Sequence, residues 1–444
     1  MAKVKLNNVD LAWLRMDHTN NPMMITVVIR FTGQVDFAAF MDSLEILTRR
    51  WRRFRQLLVR PQKIFSRPYW EDDPNFELTN HVERADLLAS ADSQALMALV
   101  SRKMSTPLDF DLPLWKVTLV DNYLEGSVLI IRTHHCIADG VSLVQILLQV
   151  TQLSPEAQVT QMPEITTAQP SRSASKRRRD TLYTNHSLLE VIRAYARIFF
   201  RRPDPPTILK GPLGPVKKAV WSEPLDLSEV KRIARIKQAT SNDVLMAVAS
   251  NAIRRYMDLK GKRSVRNIRA FTMVNLRRRF LSEELGNKFG LVFLSLPLDQ
   301  EQPLDSLETV KHGMDSLKDS AESATTFRIL NLLGMLPGWV EYFATKFLDT
   351  KGTVVATNIT GPNRPIYLSG TPIKSIIAWV PQSGRIGIGI SFFTYNRQVQ
   401  VAFNSDEGLL PNPQLILDLF MEEYKSFQAL LSTDPQTIHA PLTS

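Results

Sequence analysis

The sequence predicts a two-lobed α/β (α+β) protein, and three observations carry that expectation. The chain has 444 residues, long for one hydrophobic core and suited to two of about 200 residues each. Short apolar runs of strand length alternate with stretches of helical period in both halves. Between them, 161–215 turns to Pro, Ser, Thr, Gln and clustered basic residues. The expected division is therefore 1–160, a basic linker with a crossover helix over 161–215, and 216–444.

Composition narrows the class. With 44% hydrophobic and 22% charged residues the chain is an ordinary globular protein. No apolar run approaches the roughly 18 residues of a membrane span, and the segment from Met1 to Asn8 lacks the apolar core of a secretory signal. The single cysteine, Cys136, rules out an internal disulfide framework and a cysteine-built zinc site, and a reducing cytoplasm fits best. The net charge is +10, yet 171–218 alone carries twelve Lys or Arg against three Asp or Glu. The halves are thus nearly neutral, which argues for one local anion-meeting patch and against a nucleic-acid-binding surface.

In chain order, Val9, Ala12, Trp13 and Met16 share one side of a short amphipathic helix. Asn21-Pro22 breaks it, and Met23 to Ile29 reads as a strand. Asp36 caps a helix carrying Phe40, Leu44 and Leu47, which ends in the cations Arg49 to Arg55, favoured there by the helix dipole. Short strands are expected within 69–82, a helix over 93–104 and a strand over 116–120. Pro113-Leu114-Trp115 leads into that strand, with the indole expected to pack beneath the next one. Val128 to Ile131 is a buried strand running to His134-His135. A tight loop closed by Gly140 then opens a helix from Ser142 to Val150.

Past Gln152, residues 161–179 show no apolar period and end in Lys176-Arg177-Arg178-Arg179. A helix follows, with Leu188, Leu189, Ile192, Tyr195, Ala196 and Phe199 on one face and Arg193, Arg197 and Arg201 largely off it. Two readings fit: a cationic helix lying on an anionic membrane, or a crossover helix packed on the second lobe with its arginines in water. The second half offers a strand near 219–221, a helix from Ser228, and a helix whose start at Asn242-Asp243 ordinary capping explains. A strand over 268–276, Gly286 to Gly290, a strand over 291–298 and helices over 304–317 and 327–347 come next. The last of these, broken at Pro337-Gly338, is apolar enough either to enter the core or to line a tunnel. A strand meander over 366–403 and a helix over 413–431 complete the chain.

The chemistry concentrates in Thr133 to Val141. An imidazole fixed at a strand end, with the carboxylate of Asp139 four residues on, has the parts of a general base. Two hydrogen-bonded interior histidines are the competing reading. A metal site is disfavoured, because adjacent side chains of an extended segment face opposite ways. Cys136 lacks a histidine–acid pair of its own to act as a nucleophile.

The pattern His134-His135-x-x-x-Asp139-Gly140 resembles the signature of acyltransferases built on the chloramphenicol acetyltransferase fold. Asp10-x-x-Trp13-Leu14-Arg15-Met16, Asn21-Pro22-Met23, Arg53-Phe54-Arg55, Pro113-Leu114-Trp115, Asn242-Asp243 and Asn358-x-x-Gly361-Pro362 resemble its bacterial wax ester synthase/diacylglycerol acyltransferase branch. The resemblance implies two chloramphenicol acetyltransferase-like subdomains, each a mixed sheet flanked by helices, with the active site at their interface. It implies His135 as general base, His134 as support and Asp139 as an orienting residue paired with an arginine, for which Arg277 is the candidate. Trp115, Asn242, Asp243, Asn275, Arg277, Asn287, Asn358, Gly361 and Thr394 are the expected cleft-lining residues. The implied reaction is acyl transfer from acyl-CoA to a long-chain alcohol or diacylglycerol, with no metal and no permanently bound cofactor. The backbone around Gly140 or the Asn275 side chain would meet the oxyanion. A cytoplasmic protein peripheral on the inner membrane or on lipid inclusions, through 172–202, is the expected setting. The alternatives are a condensation-type enzyme using carrier-protein thioesters and a non-catalytic lipid-binding scaffold.

Overall fold

A computed structural model describes residues 3–61, 66–87, 92–124, 126–155, 188–261, 265–277, 285–318 and 320–433. The linker expected at 161–179, with Lys176 to Arg179, lies outside the described residues.

The first half contains strands β1 (Val4–Lys5), β2 (Met24–Phe31), β3 (Gln56–Val59), β4 (Tyr69–Asp72), β5 (Val82–Ala85), β6 (Trp115–Tyr123), β7 (Gly126–His134) and β8 (Thr151–Gln152). Its helices are α1 (Asn8–Arg15), α2 (Phe37–Arg50), α3 (Ser93–Ser105) and α4 (Gly140–Val150). The second half contributes α5 (Leu188–Phe200), β9 (Lys217–Trp221), β10 (Leu225–Asp226), α6 (Leu227–Ile236), α7 (Ser241–Leu259), β11 (Asn267–Asn275) and β12 (Phe289–Pro297). It continues with α8 (Pro303–Lys318), α9 (Glu322–Leu333), α10 (Gly338–Asp349), β13 (Val354–Thr360), β14 (Tyr367–Leu368), β15 (Thr371–Trp379), β16 (Ile388–Tyr395), β17 (Gln398–Asp406) and α11 (Pro413–Thr433).

Local chemistry accounts for the helix starts. Asp36, Asp92 and Asp139 each accept a hydrogen bond from a backbone N–H of the first turn they precede. Thr240, not Asn242, caps α7. Asp243 is its third residue and bonds back to the Thr240 N–H, closing a capping box.

Two seven-stranded sheets form the lobes. One is ordered β5-β6-β7-β2-β15-β14-β8; the other runs β10-β17-β16-β13-β11-β12, with β9 also on β17. Residues 367–379 therefore belong to the sheet of the first half, and the sheets do not divide where the linear reading divides the chain. The cause is register: β15 pairs antiparallel with β2 from Ile373↔Phe31 to Trp379↔Thr26, completing the hydrogen bonds of a strand buried along nearly its whole length.

Apolar side chains fill both faces of the first sheet, under α2 and α4 on one side and α3 on the other. The second core packs α7 and α11 on β11, β16 and β17. Strand β7 pairs with both β2 and β6, Met24↔His134 and Trp115↔Thr133 marking its end. The histidines thus emerge from a central strand, at the edge of the sheet that meets the second lobe.

Candidate active site

Two adjacent histidines leave β7 on opposite sides and meet different surroundings. His134 accepts the Cys136 N–H at Nδ1 (3.1 Å), which leaves the proton of a neutral ring on Nε2, 3.5 Å from Asp17 Oδ1. Burial alone would raise the Asp17 carboxyl, but His134, the Met23 N–H and Arg60 hold it below the usual carboxylate range. His134 is thereby a turn-forming residue.

His135 points toward the second lobe. Its ring stacks on Trp13 of α1, centroids 4.1 Å apart at 11°, and Phe289 of β12 lies 5.8 Å away. Its backbone is held from both sides, since the N–H donates to Met23 O (2.7 Å) and the carbonyl accepts from Asn287 Nδ2 (2.7 Å). Asn287 also donates to Asp10 Oδ1 (2.8 Å), so the carboxyl of α1 fixes the amide that fixes the histidine. Burial pushes the His135 imidazole down to about 4 against the opposing field of Asp139, and pushes the Asp10 carboxyl up to about 7 against Asn287 and Arg53. Cys136 is fully buried with its thiol raised by burial, the opposite of an activated nucleophile.

Asp139 turns away from the histidine. One oxygen caps α4 through the Ser142 N–H; the other takes Arg277 (2.6 Å) and the Lys288 N–H (3.0 Å). Arg277 continues to Ser142 Oγ and Gly286 O. Both members of the pair are almost wholly buried, so this ion pair ties the loop of one lobe to the segment just after β11 of the other. Among the described residues no cluster of three or more His, Cys, Asp or Glu is placed to hold a metal.

The remaining expected residues separate into groups. Gly140 closes the His135 loop, where a methyl on it would come within 3.0 Å of Ile359 Cδ1 at the end of β13, and Asn287 reaches that loop from the segment before β12. Trp115 donates from Nε1 to Phe54 O and stacks on His81, a core indole whose ring also borders a cavity. Asn275 accepts the Arg277 N–H at Oδ1, engaging the side chain with its own turn. Asn242 and Asn358 bond to each other (2.8 Å) at an exposed position and are not brought to the His135 loop, while Asp243 serves the capping box. Gly361 is required where it stands: a Cβ would lie 2.9 Å from both Thr394 O and the Phe393 ring, and its N–H donates to Thr394 O. Asp10, Trp13 and Asp17 were not expected in the site. Asp10 and Trp13 were marked in the sequence by the resemblance motif Asp10-x-x-Trp13, whose i, i+3 spacing puts both on adjoining surface of α1, whereas Asp17 carried no signal.

Three cavities bear on the site, and the loop itself borders the first of them. An apolar one of about 100 Å³ lies in the first lobe between the sheet and α2 and α4, bordered by Gly140, Thr133 and Ile359. A second, of about 70 Å³, lies in the second lobe under Trp13, Phe271 and Phe293. Met16, Thr345, Asp349 and Ser383 link it to a vestibule of about 560 Å³ with mixed lining that also meets His18, Lys346 and Arg385. The His135 ring therefore sits behind the indole that walls the second cavity.

The chain matches the wax ester synthase/diacylglycerol acyltransferase catalytic domain family over residues 6–245 and the C-terminal domain of the same family over 285–428. A putative diacylglycerol O-acyltransferase of Mycobacterium tuberculosis is 22% identical, covering 98% of this chain and 92% of the relative. The solved structure of a wax ester synthase/diacylglycerol acyltransferase from Marinobacter aquaeolei superposes with a TM-score of 0.71 at 19% identity, over 97% of this chain and all of that one. The first condensation domain of the calcium-dependent antibiotic synthetase shares the fold, with a TM-score of 0.65 at 16% identity over 98% and 97% of the two chains.

Proposed function

The chain belongs to the wax ester synthase/diacylglycerol acyltransferase family of O-acyltransferases, and from that premise we propose that it esterifies a long-chain alcohol or diacylglycerol with acyl-CoA, His135 acting as general base. The observation that carries the proposal is the position of the His135 loop between two apolar cavities, one bordered by Gly140 and the other walled by the indole stacked on the ring. Both cavities are apolar in lining, as a hydrocarbon chain requires; His135, 1% exposed, borders neither directly and reaches one through the Gly140 loop and the other through the Trp13 indole stacked on its ring.

The neutral ring takes the hydroxyl proton as the alcohol oxygen attacks the thioester carbonyl. The tetrahedral oxyanion then collapses, the C–S bond breaks, and the imidazolium returns its proton to the departing CoA thiolate. Base assistance of this kind contributes about 10²–10⁴-fold, and holding two chains end to end removes the cost of bringing them together. The N–H groups of the first α4 turn, at Gly140 and Val141, have no carbonyl partner within the helix and are the oxyanion donors in this reading. Arg277 and Asn287 set the loop and the ring without touching the reacting atoms.

The test is esterification by the purified protein with labelled acyl-CoA against a panel of fatty alcohols and diacylglycerols, beside His135→Ala. Product from the wild type and a loss of at least about 10²-fold in the variant are expected; near-normal rates in His135→Ala would remove the base assignment. The condensation-type alternative rests on likeness of fold alone.

A further inference from the structure

Helix α10 is amphipathic the wrong way round for a helix in water. Glu341 and Asp349, eight residues apart with Thr345 between, face the protein. Glu341 is 1% exposed and pairs with Arg15 at 2.9 Å, while Asp349 accepts from Ser383 Oγ. The outer face holds Trp339 (68% exposed), Tyr342, Phe343 (64%) and Phe347, with Lys346 among them.

Helix α5 repeats the inversion. Ala194 and Ile198 seat it, whereas Leu189, Ile192, Phe199 and Phe200 (85% exposed) form the outer arc, bordered on one side by Arg193 and Arg197. The two faces are one surface, since the Phe199 and Phe347 rings stack 6.2 Å apart, and Leu332 and Met335 extend it past the end of α9. Single exposed apolar residues are ordinary; a contiguous aromatic field is not.

We infer that this field, formed by α5, α10 and the end of α9, docks on an anionic lipid bilayer. Charge selects that occupant. Arg193, Arg197, Arg328 and Lys346 are exposed on these helices, while Glu322, Glu341 and Asp349 turn inward, leaving Glu190 as the exposed carboxylate among their described residues. A second copy would set cations against cations, and the indole and phenol rings suit a boundary with one apolar and one wet side. Cations beside inserted aromatic rings are what an anionic lipid surface attracts. Tyr342, Thr345 and Lys346 also line the vestibule that leads to the second-lobe cavity. A membrane-held acceptor thus enters beside the bilayer, a consequence that rests on the proposed reaction; the docking itself does not.

Sedimentation with phosphatidylcholine vesicles, with and without phosphatidylglycerol, tests it on the full chain. Wild type is expected to sediment with the anionic vesicles and to be released by added salt. The double variant Trp339→Ser, Phe343→Ser should partition at least about tenfold less, with unchanged thermal unfolding because both side chains are in water, and with unchanged esterification of detergent-dispersed substrate. Three results would overturn the inference: wild type left in the supernatant, equal binding to purely zwitterionic vesicles, or undiminished binding by the double variant. A wild-type dimer that the variant abolishes, without vesicle binding, would assign the face to a second copy instead. Loss of esterification on dispersed substrate bears on the catalytic reading, not on docking.

Discussion

His135 is kept neutral by burial, and that has consequences for rate and stability that carry opposite signs in a variant. With its ring pushed down to about 4, the proposed base is available throughout the neutral range, so kcat/KM should stay flat from roughly pH 7 down to about pH 5 and fall only near 4. An acid limb at the ordinary imidazole position would show that the ring is not shielded. Unfolding frees the ring to bind a proton at the ordinary value of 6.5, so between 6.5 and about 4 the unfolded chain holds the extra proton and acidification destabilises the fold. His135→Gln should remove up to about 3 kcal/mol of that pH dependence, read from denaturant midpoints across the window. His134 behaves differently: Asn at 134 preserves an acceptor for the Cys136 N–H, so His134→Asn should cost about 1 kcal/mol of stability and far less rate than any change at 135. In the proposed reaction Asp10 acts as a positioning residue through Asn287. Asp10→Ala should lower kcat several-fold with little change in the KM for acyl-CoA, whereas a merely structural loss would leave kcat per folded molecule unchanged.

Among the elements, β7 and α4 were legible because their signals are local: an apolar run, a polar break, a capping aspartate and a helical period. The Asp139–Arg277 pair, by contrast, came from family resemblance, since 138 residues separate its members and no periodicity connects them. Its buried charges make a prediction at this scale. Arg277→Met leaves Asp139 in the interior with the Lys288 N–H in place of a cation, and the fold should lose about 3–5 kcal/mol in denaturant unfolding. Helices α5 and α10 show where sequence stops. Their apolar and polar arcs can be drawn from residue numbers alone, yet hydrophobicity predicts that the apolar arc is the packed one. On α5 the arc of Leu189, Ile192 and Phe199 faces outward and the small Ala194 side packs. On α10 the Arg15 guanidinium pairs with one oxygen of the inward Glu341, a partner from the other end of the chain that no local pattern reveals.

At the scale of the whole molecule the lobes are joined by exchange of chain rather than by contact alone. The sequence marks 373–380 as a strand without saying which strand it joins, because hydrogen-bond partners in a sheet are set by tertiary packing rather than by period. That is why the linear division at 160 and 215 separates β15 from the sheet it completes. Strand β2, buried along nearly its whole length, lies between β7 and β15. A fragment of residues 1–160 would expose that strand's unpaired edge together with the apolar side chains that Ile376 and Ala378 cover in the intact chain, a template for aggregation. The fragment expressed alone should therefore be insoluble, and co-expression with 161–444 should recover a soluble complex. Esterification by that complex would follow, since His135 and Asn287 come from different fragments. If 1–160 were instead soluble and unfolded cooperatively without its partner, β15 would be dispensable to the first sheet, and the linear division would describe independent folding units after all.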